Sequence, residues 1–184
     1  MERENNLSDP TVNGSGLSWA FQTQQLRGLD YIKELIRQEP FITRDSRLLS
    51  EWLGRGKYVI GVGVDTEATQ DFIRAGTPLW IVPTFKEGVE LRGSAGVVGM
   101  INRPAHPNAG KVFLNWILSK DGQTILSGAN RVASRRTDVP TDHLEPWQIP
   151  DTRISYFSRE TEESQQQEYQ MSKVFQELFA PLMK

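Results

Sequence analysis

The amino-acid sequence predicts an α/β fold, and three observations support that prediction. The segment KYVIGVGV at residues 57–64 is a nearly continuous β-branched run, which is typical of a strand buried on both faces of a parallel sheet. Segments with apolar residues at helical spacing lie before and after it. The chain has 184 residues, of which 38% are hydrophobic and 24% charged, enough apolar material for one domain or two small lobes.

Three short helices are expected before the first strand. Residues 16–27 form the first helix, which ends at Gly28. The second helix is expected over residues 30–38, because Pro40 just beyond them marks the end of a helix. The third is expected over residues 46–53. The fourth helix begins at Asp65 or Thr66, directly after the predicted strand.

Two more strands and three more helices are expected in the rest of the chain. PLWIVP at residues 78–83 and SAGVVGMI at 94–101 have the composition of strands. Residues 103–126 predict a helix that begins near Pro107 and a second helix capped by Ser119. The last helix is expected over residues 161–180, with one apolar face made by Met171, Phe175, Leu178 and Phe179.

The helix near Pro107 has the most regular apolar pattern in the chain. Its apolar residues recur at spacings of three and four, namely Ala109, Val112, Phe113, Trp116 and Ile117. Such a stripe is typical of a helix face that packs against a core. The sequence therefore predicts that this face is buried.

Composition excludes several classes of function. The chain carries 21 Lys and Arg against 23 Asp and Glu, a formal charge of −2, and no basic run, so no nucleic-acid partner is predicted. Cysteine is absent, which excludes disulfides and thiolate metal sites. The two histidines lie far apart in the sequence and no nucleotide-binding fingerprint is present, so neither a metal nor a cofactor is predicted.

One candidate binding site lies at the start of the first helix, in the segment DPTVNGSGL. The backbone N–H groups of the first helical turn have no partner within the helix, and the helix dipole favours an anion there. The candidate ligand-binding residues are Asn13, Gly14, Ser15, Gly16 and Leu17. The alternative is that this segment is only a tight turn and a helix cap.

A second candidate site follows the predicted strand at 57–64. Ligands of open α/β sheets bind beyond the carboxyl ends of the strands, where Asp65 and Thr66 are expected. Asp65 could bind a cationic group of an organic solute. The alternative is that Asp65 and Thr66 together cap the next helix.

Several segments resemble a known family. DPTVNGSG, GKYVIGVG and HPNAGKVFLNWILSKDGQTILS, followed by SRRTDVP, look like the C-terminal half of the extracellular solute-binding proteins of ABC importers. The similar branch contains the ferric-ion, thiamine and phosphonate receptors. The order and spacing of these segments match over most of residues 8–145.

The resemblance implies a two-lobed type II periplasmic-binding fold, with three αβα layers and a short mixed sheet, that closes on a solute between its lobes. Residues 1–76 would be a lobe-two segment, and residues 77–184 a returning lobe-one segment with the C-terminal helices. We expect a truncated receptor, without the N-terminal half and the export signal of the family. Its location would be periplasmic or extracellular.

The resemblance also implies partners. These are a small, anion-bearing solute, an ABC permease, and a second copy of the chain bound through the lobe-one surface that the missing half leaves exposed. Ferric ion is not expected, because iron-binding members have a tyrosine pair where this chain has residues 64–67. Two other functions remain open: a cytosolic sensor or interaction domain of the same fold, and a hydrolase that uses Asp65 and Glu67.

Overall fold

The structure is a computed structural model, and it describes residues 5–82, 85–90, 98–151, 153–154, 156–157, 159 and 161–183. The chain forms two compact units. The sheet unit comprises Met1–Glu87 and Arg159–Lys184, and the helix-pair unit comprises Gly88–Ser158.

The described residues contain six α-helices and five short strands. The helices are α1 (Ser15–Arg37), α2 (Ser46–Gly54), α3 (Thr66–Arg74), α4 (Pro107–Ile117), α5 (Lys120–Asn130) and α6 (Glu162–Phe179). The strands are β1 (Asn5–Ser8), β2 (Phe41–Thr43), β3 (Ile60–Val62), β4 (Val89–Glu90) and β5 (Tyr156–Phe157). The predicted α/β class is confirmed. Within these ranges, no helix has both the length and the apolar character that crossing a bilayer requires.

The three strands of the sheet unit form one parallel sheet in the order β2-β1-β3. Central strand β1 pairs on both sides, with Asn6 opposite Phe41 on one side and Gly61 on the other. β4 and β5 form a separate parallel pair. The family resemblance implies a short mixed sheet, whereas every strand pair in the described residues is parallel.

The core of the sheet unit lies between α1, α6 and the sheet. Its buried residues are Leu7, Leu17, Trp19, Ala20, Phe21, Ile32, Phe175 and Phe179. The ring of Phe179 on α6 meets Trp19 of α1 edge to face, with 6.1 Å between ring centroids. This shared core places α6 in the sheet unit, although more than eighty residues separate it from α3 in the sequence.

Local sequence signals predicted several helix boundaries correctly. α1 is interrupted at Gly28, whose φ of 82° and ψ of 171° are not helical, so the predicted pair of helices on either side of this residue is confirmed. Ser119 caps α5 through a hydrogen bond that its Oγ accepts from the Gly122 N–H at 3.2 Å. The predicted C-terminal helix is also confirmed, as α6.

The expectation that three helices precede any strand is wrong, because β1 and β2 lie before and after α1. β1 is the short, polar segment NNLS, yet Asn6 and Ser8 are both buried. A central strand of a parallel sheet has its backbone hydrogen-bonded on both sides, so this pairing keeps β1 in place together with the burial of its one apolar side chain, Leu7. The local sequence of β1 therefore does not predict that it is a strand.

The predicted strand at residues 78–83 is wrong over 78–82, which are irregular, and residue 83 lies outside the described residues. Trp80 is 86% exposed and Val82 57% exposed. An apolar run forms a strand only where another strand can pair with it, and proline at either end of this run removes donors. Of the predicted strand at 94–101, residues 98–101 are irregular, and residues 94–97 lie outside the described residues.

The expected burial of the apolar face of α4 is also wrong. Helix α4 contains no buried residue, and Val112, Phe113 and Trp116 are exposed. Among the described residues of the helix-pair unit, Val139 is the one buried hydrophobic side chain. The periodicity of α4 predicted the helix correctly, whereas no element among the described residues of this unit covers its apolar face.

The predicted division of the chain differs from the compact units. The family resemblance implies a division after residue 76, whereas the sheet unit continues to Glu87 and also takes in Arg159–Lys184. The reason for the return is the burial of Phe175 and Phe179 in the core described above. The assignment of these parts to two receptor lobes stays a prediction.

Candidate functional site

A pocket of about 210 Å³ lies at the carboxyl ends of β1 and β2, where the loops to α1 and α2 meet. Open parallel sheets bind ligands at this edge, because the loops and helix starts that follow the strands converge there. The pocket is lined by Ser8, Asp9, Val12, Asn13, Gly14, Ser15, Gly16, Arg44 and Ser46.

The first turn of α1 opens onto this pocket without a side-chain cap. Gly14 occupies the capping position with a φ of 135°, and no side chain accepts a hydrogen bond from the turn. The first intrahelical bond runs from the Ser18 N–H to the Gly14 carbonyl oxygen at 3.1 Å. The N–H groups of Ser15 and Gly16 therefore precede the helical ladder, and the positive end of the helix dipole lies at the pocket.

Gly16 allows the start of α1 to lie directly against the end of β1. A Cβ atom at this position would fall 1.7 Å from the carbonyl oxygen of Asp9, well inside van der Waals contact. Every other residue type would push the helix away from the strand. The absence of a side chain at Gly16 therefore allows the close contact between α1 and β1 that shapes the pocket.

A buried carboxylate and an exposed guanidinium form an ion pair in the pocket. The Asp9 side chain is 1% exposed, and Arg44 Nε donates to Asp9 Oδ2 at 2.8 Å. The Thr11 N–H and hydroxyl donate to Asp9 Oδ1 at 2.8 and 2.6 Å. Burial acts to raise the pKa of Asp9, but the hydrogen bonds from Arg44 and Thr11 outweigh burial and hold that pKa below its ordinary value.

The Asp9 contact orients Arg44 through one edge of its guanidinium. The Arg44 side chain is 69% exposed, and within the described part of the chain its Nη1 and Nη2 donate to no other group. These two nitrogens present the fork of donors that matches carboxylate or phosphate oxygens. Asp9 acts here as a positioning residue for the arginine.

Two hydroxyl groups complete the polar lining. Ser8 Oγ and Ser15 Oγ lie 2.9 Å apart in a hydrogen bond in which either can be the donor. The Ser8 backbone carbonyl accepts a bond from Trp19 Nε1 at 2.9 Å, which ties the end of β1 to the core. This shared hydrogen bond uses only one of the two hydroxyl protons.

The predicted residues of the first candidate site separate into two groups. Asn13, Gly14, Ser15 and Gly16 line the pocket. Leu17 instead packs into the core of the sheet unit and is 5% exposed. Its side chain holds the helix start against the core and is not part of the pocket lining.

The residues of the second candidate site lie beside the pocket and not in its lining. Asp65 Oδ1 accepts a hydrogen bond from the Ala68 N–H at 2.8 Å, so its side chain caps α3, and Thr66 is the first residue of that helix. The Asp65 N–H donates to the Ser46 carbonyl oxygen at 3.3 Å. The loop after β3 therefore supports the start of α2, which contributes Ser46 to the pocket.

Sequence reasoning missed Asp9 and Arg44. They lie 35 residues apart and meet only because β1 and β2 pair in register. Each follows the last residue of its strand directly. This position at the carboxyl end of a strand is the signal that identifies such residues, but the sequence pattern predicts neither β1 nor β2.

A serine and a histidine also meet in the helix-pair unit. Ser127 Oγ donates to the Val132 carbonyl oxygen at 2.6 Å and lies 3.0 Å from His143 Nε2. The serine proton is used by the carbonyl, so the histidine nitrogen supplies the other proton and does not act as a base toward this serine. Ser127 is 2% exposed, and its two contacts connect the C-terminal part of α5 to the segment that follows it.

No cluster of three or more His, Cys, Asp or Glu side chains arranged to hold a metal occurs in the described ranges. No family model matches the sequence, and neither a curated protein nor a solved structure matches the chain.

Proposed function

We propose that this chain is a solute-binding protein, or part of one, of the type that serves ABC importers, and that it binds a small anion-bearing solute at the pocket beside the start of α1. The observation that carries the proposal is the convergence of two independent donor sets on one pocket. These are the uncapped first turn of α1 and the Nη groups of Arg44.

The charges of the pocket agree with a solute that carries one anionic group. The negative charge of Asp9 is compensated by Arg44 at 2.8 Å, so the formal charges of the pair cancel. The partial positive charge of the helix start then adds to the Nη donors that Asp9 leaves unused. A carboxylate or phosphoryl group bound in the pocket would accept hydrogen bonds from the helix start and from the Arg44 Nη groups. The one carboxylate in the lining, that of Asp9, is already neutralised by Arg44.

The size of the pocket sets the scale of the solute. About 210 Å³ accommodates one anionic group with a few attached carbon atoms, which is smaller than an ordinary drug-sized site. The location at the carboxyl ends of parallel strands agrees with the general placement of ligands in open α/β sheets. An ABC permease as partner and an extracytoplasmic location are parts of the same proposal, and they rest on the family resemblance.

Calorimetric titration with inorganic phosphate and with a small monocarboxylate, in a buffer without competing oxyanions, tests the proposal. Arg44→Gln is expected to weaken binding about tenfold, which corresponds to about 1.4 kcal/mol, because the forked donor is lost. Arg47→Gln is the matched control, since it removes the same charge from an exposed position of α2 outside the pocket lining.

Amide chemical shifts provide the second readout. The proposal expects phosphate to shift the amide signals of residues 14–16 in the wild-type chain and to shift them less in Arg44→Gln. Equal weakening by Arg44→Gln and Arg47→Gln would indicate non-specific charge attraction and would contradict the site. Absence of both heat and amide shifts with every anion would also contradict it.

A further inference from the structure

The apolar stripe of α4 forms an exposed face with no partner in the described part of the chain. This α4 face consists of Ala109, Val112, Phe113 and Trp116. The exposed fractions are 69% for Val112, 52% for Phe113 and 43% for Trp116. The Phe113 and Trp116 rings contact each other, with 5.8 Å between their centroids.

The apolar surface continues before the helix. Met100 and Ile101 precede α4 and are 43% and 75% exposed, and the Met100 side chain lies beside Gly110 of α4. Taking roughly 200 Å² for each fully exposed large side chain, the exposed apolar area is on the order of 600 Å². That area is at the upper end for a monomer, and it approaches the roughly 800 Å² that each partner contributes to a standard interface.

The residues of the α4 face complement a second copy of the same face. A two-fold axis that passes between positions 112 and 113 of two antiparallel helices places Ala109 of each copy opposite Trp116 of the other. It also places Val112 opposite Phe113. At both positions a smaller side chain meets a larger one, which is the pattern that lets two helix faces interdigitate.

The charge distribution also permits self-association. The face carries no charged residue, and Lys111 is the single charged residue of α4. At 100° per residue, Lys111 lies on the side of the helix opposite Ala109 and Trp116. Two copies can therefore meet along α4 without bringing like charges together.

We infer that the α4 face is a homodimer interface in which two α4 helices pack antiparallel about a two-fold axis between residues 112 and 113. This inference uses the helix-pair unit alone and does not rest on the proposed solute site. It assigns the exposed stripe to a second copy of this chain, not to a different protein or to a lipid surface.

Sedimentation equilibrium across the micromolar range tests the interface. The wild-type chain is expected to be a dimer, and Val112→Asp is expected to weaken the dimer at least tenfold because it buries a charge at the axis. Lys111→Asp is the matched control, since it introduces the same side chain on the opposite side of the same helix. A monomeric wild-type chain overturns the inference, and so does a dimer that Val112→Asp leaves intact.

Disulfide trapping tests the register, because the chain has no cysteine of its own. A mixture of the Ala109→Cys and Trp116→Cys chains, one of them carrying a mass tag, is expected to form mainly the mixed disulfide on mild oxidation. Lys111→Cys in place of either variant is expected to form little. Random pairing among all three variants overturns the two-fold arrangement. This readout also covers the case in which Val112→Asp fails to fold, as judged by circular dichroism.

Discussion

The sheet unit and the helix-pair unit bury their apolar residues very differently, although their helices have similar apolar patterns. The sheet unit encloses Phe21, Phe175 and Phe179, each at most 1% exposed. In the described residues of the helix-pair unit, Val139 is the one buried hydrophobic side chain, and Phe113 is 52% exposed. A helical apolar stripe thus predicts which residues share a face, but it does not predict that this face is covered within the same chain.

One ion pair of the sheet unit and one of the helix-pair unit also differ in burial. In the sheet unit the Asp9 carboxylate is buried and held by Arg44 and Thr11. In the helix-pair unit, Arg136 and Asp138 pair at 2.8 Å with both side chains more than 40% exposed. Exposed pairs contribute little to stability, whereas removing the partner of a buried carboxylate is costly. Substitutions at matched positions in the two units can test this contrast.

The largest difference is expected for aromatic truncation. Phe175→Ala removes a ring that is 0% exposed, and it should lower the free energy of unfolding by about 3–5 kcal/mol. Phe113→Ala removes a ring that is half exposed, so the monomer should lose less than about 1 kcal/mol. Urea denaturation at a concentration below self-association measures both. Similar losses in the two variants would show that the α4 face is packed within the monomer.

Glycine replacement is expected to act in opposite directions in the two units. Gly16→Ala places a methyl group against the Asp9 carbonyl, and it should cost about 1–3 kcal/mol and abolish anion binding at the pocket. Gly128→Ala lies within α5 with open space around the new methyl group, and it should stabilise the chain by about 1 kcal/mol or less. Thermal unfolding compares the two directly. A neutral Gly16→Ala would mean that α1 can shift away from β1 without cost.

The smallest effect is expected from acid titration of the two ion pairs. Because the pKa of Asp9 is lowered in the folded chain, its contribution to stability is present above its unfolded pKa and is lost as the pH falls through the folded pKa. The wild-type chain should therefore lose about 1 kcal/mol more than Asp9→Asn on acidification from neutrality to a pH below the lowered, folded-state pKa of Asp9. Asp138→Asn should alter this profile less, because solvent screens the exposed pair. Urea titrations at each pH measure the difference, and identical profiles for Asp9→Asn and wild type would contradict the role assigned to Asp9.

About half of the candidate site could be predicted from the sequence. The helix start at Asn13–Gly16 was predicted because glycine and serine before an apolar stripe indicate an exposed helix terminus. Arg44 and Asp9 were not predicted, because their contact depends on the pairing of two short strands that lack a strand-like pattern. The backbone position of Leu17 predicts a place in the site, whereas its apolar side chain packs into the core.

The sequence by itself determined the features that depend on a few neighbouring residues. The interruption of α1 at Gly28, the cap of α3 at Asp65 and the cap of α5 at Ser119 all follow from the local chemistry of those side chains. Only the tertiary structure decided that polar NNLS is the central strand, that α6 returns to the core of α1, and that the face of α4 is left exposed. The physical reason is that a turn or a cap is stabilised within its own segment. Strand pairing and burial depend instead on which distant segment lies alongside, and no local pattern contains that information.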